Sequence, residues 1–202
     1  MTRERTFIAI KSESIQRHLI GEIIGRFERR GFKLVGCKMV VPTAEQIGKQ
    51  YPDADWWYLK CGERTIKSRR ERGIEDNRSP LEVGKWVRQM LLKDNVGKPL
   101  LAMVWEGAHA VALGVKTIGH TNPLEADAGT IRGDYTVESY ELADKMQHPI
   151  RTLVHASKSV EEAKEEMDLY FNPEEIVDYP MIIEDVLYGE GWGVVEKYKD
   201  KI

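Results

Sequence analysis

Long apolar runs are missing from this chain. The longest unbroken one is LLAMVW, residues 100–105, against the roughly 20 residues that a membrane-crossing helix needs. The opening MTRERTFIAIKSES has charges but no apolar signal segment, so neither insertion nor secretion is expected. Cysteine is equally scarce. Cys37 and Cys61 stand alone and share no metal-ligand spacing, which suits a reducing cytoplasm. No HExxH or Cys/His cluster suggests a tightly held, protein-ligated metal. A charge excess is absent too. Lys and Arg total 30 against 33 Asp and Glu, a formal net charge of -3, so nothing favours bulk nucleic-acid or membrane-surface binding. Neither a P-loop nor a dinucleotide-binding glycine pattern occurs, and no fixed-period repeat or low-complexity segment is visible.

What is present suits a single domain over 1–202. The chain has 202 residues and is 42% hydrophobic, enough for one sizeable core. TFIAI (6–10) reads as a buried strand. In SIQRHLIGEIIGRFERRG, Ile15, Leu19, Ile20, Ile23, Ile24 and Phe27 recur at helical spacing, and Gly31 is a natural end cap. FKLVGCKMVV is a second strand, followed by a short helix over 43–50. A charged segment, 52–80, precedes an amphipathic helix on Leu81, Trp86, Val87, Met90 and Leu91. PLLAMVWEG is a third strand, AHAVALGVKTIG a short helix, and HTNPLEADAGTIRGD a long loop. TLVHAS is the fourth strand and Ser159 to Phe171 a helix. The order predicts an α+β fold: a ferredoxin-like split βαβ, with a four-stranded antiparallel sheet and helices on one face.

The stretch LVHASKSVEEAKEEM ends an apolar run with His155. Ser159 and Glu162 have capping-box spacing, so a helix starts just after the histidine. On its apolar stripe lie Val160, Ala163, Met167, Tyr170 and Phe171, and Glu166 is the acid nearest to it. A carboxylate on one ring nitrogen would leave the other free as a nucleophile. At this level the pair also reads as a strand-end histidine beside a solvated boundary glutamate. Arg132 offers a planar donor fork suited to phosphate oxygens, and Lys11 a compact charge at a strand end. Thr121, Asn122, Gly129 and Thr130 share the Arg132 loop. Each of these also reads as ordinary surface.

In combination the segments are specific. ERTFIAIK, GEII, GRFERRGFKLVG, AMVWEG, GHTNP, GTIRGD, VHASKSVEEAKEE and YFNPEEIVDY occur in the order seen in nucleoside diphosphate kinases, and the chain resembles that family over most of its length. The resemblance implies γ-phosphate transfer from a nucleoside triphosphate, ATP among them, to a nucleoside diphosphate by a ping-pong route through a phosphohistidine at His155. Glu166 would hold the other ring nitrogen, partly through Ser157. Lys11 would contact the transferring phosphate and the sugar 3′-hydroxyl. Tyr51 would lie near the γ-phosphate, and Thr121 and Arg132 would hold the other phosphates. Mg²⁺ would arrive on the nucleotide rather than in a protein cage. A cytoplasmic homo-oligomer is also implied, with no nucleic acid and no membrane as partner.

Four departures from the family pattern stand out. Val115 occupies the place of a phosphate-binding arginine, with Lys116 beside it. Thr152 stands where asparagine is usual, and keeps a group able to bond a sugar hydroxyl. A helical insertion near 52–80 displaces the usual base platform, leaving Trp56 and Trp57 as candidates. A shorter insertion, VESYELADKMQHP, covers 137–149. Arg64, Lys67, Arg69, Arg70 and Arg72 would form either a basic helix over the nucleotide or a solvated face or subunit contact. The competing function is a nucleotide-binding or regulatory module of the same fold with weak or no transfer. An RNA-binding ferredoxin-like domain lacks its paired aromatics here. The tail 189–202 carries almost no signal.

Overall fold

The computed structural model of the chain describes residues 3–189. The expected tail, 189–202, lies outside the described residues except for Gly189. Its first strand, β1 (Glu4–Ile10), leads into two short helices, α1 (Ser12–Gln16) and α2 (Ile20–Arg29). One helix was expected there. The chain instead turns at His18, whose φ is +59°, and the break lets Ile15, Leu19 and Ile20 all reach the core from different axes. Gly31 caps α2 as the sequence predicts, with φ +87° and its N–H on the Glu28 carbonyl at 2.8 Å. Next come β2 (Lys33–Val40), α3 (Ala44–Gln50), α4 (Asp55–Glu71) and α5 (Pro80–Asn95). Then follow β3 (Leu100–Gly107), α6 (Ala110–Ile118), α7 (Ile131–Tyr135) and α8 (Tyr140–Lys145). The described chain closes with β4 (Val154–Ala156), α9 (Val160–Tyr170) and α10 (Glu184–Tyr188).

The sheet order is β2-β3-β1-β4, and each neighbouring pair is antiparallel. This is the ferredoxin-like arrangement. Helices cover both faces rather than one. The central strands bury consecutive residues, Thr6–Ile10 on β1 and all of β3, so neither side can be left to water. On one face Ile8, Ile10, Met103 and Trp105 pack with Ile23 and Phe27 of α2 and Ile118 of α6. On the other, Phe7, Ala9, Ala102 and Val104 meet Tyr170 and Phe171 at the end of α9. Phe7 stacks on Tyr170 at 5.1 Å.

The α4–α5 hairpin is held by close backbone approach. A Cβ at Gly62 would fall 1.8 Å from the Pro80 carbonyl oxygen, and one at Gly84 would fall 2.0 Å from that of Tyr58. Only glycine permits this crossing. Ser79 caps α5 with a full capping box to Glu82. The far end of α4 is tied to α8: Asp144 accepts from both Arg69 and Arg72, and Asp76 accepts from Arg69 and Arg78.

Candidate active site

Strand alternation builds the floor. His155 lies opposite Ala9 in the β1–β4 register. It therefore shares the face of Phe7 and Ala9, and its ring lies 6.2 Å from that of Phe7. Helix α9 crosses that face and brings Glu166 to the ring. His155 Nε2 and Glu166 Oε1 are 2.6 Å apart. An ionised carboxylate accepts only, so Nε2 carries the proton and Nδ1 keeps its lone pair. Glu166 is 5% exposed. Burial pushes its carboxyl up, but His155, Ser157 and Gln50 together hold it below the ordinary range. The Ser157 hydroxyl donates to Oε2, and Gln50 Nε2 donates to Oε1 at 3.2 Å.

Gln50 was not singled out in the sequence, and no local signal marks it. It ends α3, far along the chain, and also accepts from Tyr170 Oη at 3.2 Å. Val160, counted on the apolar stripe of α9, stands exposed. Ser159 caps α9, but the Glu162 carboxylate takes the N–H of Lys158 at 2.8 Å.

The segment before His155 is strained and clamped. Leu153 is buried with φ +65°, a conformation that costs a bulky residue about 1–3 kcal/mol. Arg132 donates Nε to the Thr152 carbonyl at 3.0 Å, Nη2 to that of Val154 at 2.7 Å and Nη1 to that of Gly119 at 2.8 Å. Leu153 N–H meets Glu13 at 3.1 Å, and the Ser14 hydroxyl meets the Leu153 carbonyl at 2.9 Å. Burial pulls the Arg132 guanidinium down to about 10. Three of its five N–H groups are spent on the scaffold, leaving two.

These groups open onto a cavity of about 1250 Å³. Lys11, Tyr51, Thr121, Arg132, Thr152, His155 and Glu166 all line it; Ser157 sits behind. Lys11 Nζ lies 3.4 Å from Thr152 Oγ1. Burial first, and then Glu166, raise the Tyr51 phenol, so it stays an O–H donor. Val115 lines the cavity while Lys116 does not. The other wall is the α4–α5 hairpin. Trp56 and Trp57 both line it. Trp57 braces Tyr51 edge-on at 6.1 Å, and Trp56 is 61% exposed. Trp86, also on this wall, is covered by the Arg69 and Arg78 guanidiniums.

A nucleophilic ring nitrogen held by a carboxylate, in a cavity rimmed by cations, is equipped for phosphoryl transfer. Similarity to known proteins agrees. The family model for nucleoside diphosphate kinase matches residues 4–55 and 84–176. The chain belongs to the nucleoside diphosphate kinase family. A nucleoside diphosphate kinase of Pyrobaculum aerophilum is 37% identical over 88% of this chain and 100% of its own. Human nucleoside diphosphate kinase A is 37% identical over 92% of this chain and 97% of its own. The crystal structure of the Pyrobaculum NDP kinase superposes with a TM-score of 0.83. A Borrelia burgdorferi enzyme, solved as a transition-state mimic with bound vanadate and ADP, gives 0.75 at 27% identity over 93% of this chain and 98% of its own. The chain is thus a phosphotransferase with nucleoside diphosphate kinase function. Residues 56–83, most of α4 and the start of α5, fall between the two matched stretches.

Proposed function

We propose that His155 is the phosphate carrier in a ping-pong exchange between nucleoside triphosphates and diphosphates. The observation that carries this reading is the His155–Glu166 pair at 2.6 Å, with the opposite ring nitrogen left to the cavity. Nδ1 attacks the γ-phosphorus, the bond to the β–γ bridging oxygen breaks, and the diphosphate leaves with that oxygen. A second diphosphate attacks the phosphohistidine and reverses the step. Glu166 steadies the ring and the positive charge it gains. Tyr51 donates its hydroxyl, and Lys11 a charge, where negative charge collects on the phosphoryl oxygens. Thr121 and the two remaining Arg132 N–H groups take the other phosphates, and Thr152 takes a sugar hydroxyl.

The donor set fits a nucleotide-borne Mg²⁺. Among the described residues, the cluster able to ligate a metal is His155, Glu162 and Glu166. Its carboxylates already accept N–H and O–H donors, and Mg²⁺ prefers oxygen ligands and water. When bound, it neutralises phosphate charge.

Among the described residues no helix is long and apolar enough to cross a membrane. A cytoplasmic homo-oligomer fits this reading. So does one domain bearing two additions, the hairpin near 52–80 and α8 near 137–149. Brief incubation with labelled ATP tests the assignment: it leaves an acid-labile phosphate on His155. An unlabelled wild-type chain would overturn it, and ATP binding without exchange would mark a regulatory module.

A further inference from the structure

Helix α4 presents a cationic face to the cavity. Lys60, Cys61, Arg64, Thr65, Ser68 and Arg72 line it, at the three- and four-residue spacing of one helix side. The helix's acids, Asp55, Glu63 and Glu71, do not. Arg72 is committed to Asp144 and the Ser68 carbonyl. Arg69, which the sequence grouped with it, is buried in ion pairs with Asp76 and Asp144. Lys60 and Arg64 make no hydrogen bond or ion pair among the described residues.

Both line the cavity together with Lys158, two residues past the β4 strand of His155. Crowding by protein atoms lowers the Lys158 ammonium, and so does Arg64; Glu162 opposes them, and Lys60 and Arg132 add to the fall. Like charges gathered at one spot repel unless an anion joins them. Helix α6 brings none of its own: Val115 faces the cavity. Helix α9 supplies Glu161, Glu162, Glu165, Glu166 and Asp168 to the same cavity, and among the described residues none forms an ion pair with Lys60 or Arg64.

We propose that Lys60 and Arg64 grip the polyphosphate of the bound nucleoside di- or triphosphate, so that the hairpin is a working wall of the nucleotide site. This rests on the nucleotide reading given above. Arg64 offers a planar donor fork to two phosphate oxygens, and Lys60, one turn earlier, a point charge.

Calorimetric titration of the full chain with AMP, ADP and ATP tests it. Arg64→Gln weakens ATP binding about 10-fold or more, the loss of one charge-assisted contact. Adding Lys60→Gln weakens it further, and the deficit grows from AMP to ATP. Arg64→Lys recovers part. Lys67→Gln, on the same helix but off the cavity, binds as wild type does. Equal ATP affinity in wild type and the double variant overturns the assignment, leaving the cations to the acids of α9. An equal loss for AMP and ATP overturns it too. A wild-type chain that binds no ADP overturns the nucleotide reading itself, and this assignment with it.

Discussion

The two walls of the cavity are built on different principles. The β-sheet wall presents His155 from the core: its neighbours Val154 and Ala156 are buried, and its partner Glu166 is hydrogen-bonded by three side chains. The hairpin wall is joined at the crossing of Gly62 and Gly84 and latched to α8 by ion pairs around Asp144. In the proposed exchange, one wall fixes the reacting atom and the other supplies charge and enclosure. Chemistry that needs sub-ångström placement is best carried by packed strands, whereas charge neutralisation tolerates a looser mount.

Substitutions should separate the walls. The largest effect is expected from His155→Ala, which abolishes phosphoenzyme formation in a rapid-quench labelling assay while ADP still binds by calorimetry. Glu166→Gln should slow turnover about 100-fold, since an amide holds the ring and its charge poorly. Because the Glu166 carboxyl is held below its ordinary 4.5, its stabilisation is present above that pH. It is lost as pH falls through the lower folded value. Thermal melts across acid pH should therefore show a component in wild type that Glu166→Gln lacks.

The hairpin should answer differently. Gly84→Ala pushes a methyl to 2.0 Å from the Tyr58 carbonyl oxygen and should cost about 3 kcal/mol, near the upper end for overpacking. Urea titration reads that loss, and ATP affinity should fall while His155 is still labelled at saturating ATP. Asp144→Asn should be milder, about 2 kcal/mol, for weakened charge-assisted bonds to Arg69 and Arg72. Its signature is loosening of α4 and α8 in hydrogen exchange, with the sheet unchanged. A sheet that loosened as well would mean the two walls are one cooperative unit.

Much of the His155 wall was legible in the chain. Strand period two puts Phe7 and Ala9 on one face, and helical phase picks Glu166 from the acids of α9. Arg132 was legible as a cation but not as a clamp. Its bonds to the carbonyls of Thr152 and Val154 depend on a backbone reversal at Leu153 that no local residue preference announces. Gln50 was illegible for a related reason: it reaches Glu166 across 116 positions of sequence.

By itself, then, the sequence determined the order of the four strands, the α9 cap and the pairing of one histidine with one acid, but not the break between α1 and α2 or the short α7 inside a stretch that reads as loop. What it determined follows from local periodicities and from motif order. Tertiary structure decided which cations face the cavity. Arg64 and Arg69 are five residues apart on one helix, yet one lines the site and the other is buried in ion pairs. Helical rotation separates them, but only packing against α5 and α8 settles which side meets the nucleotide cavity.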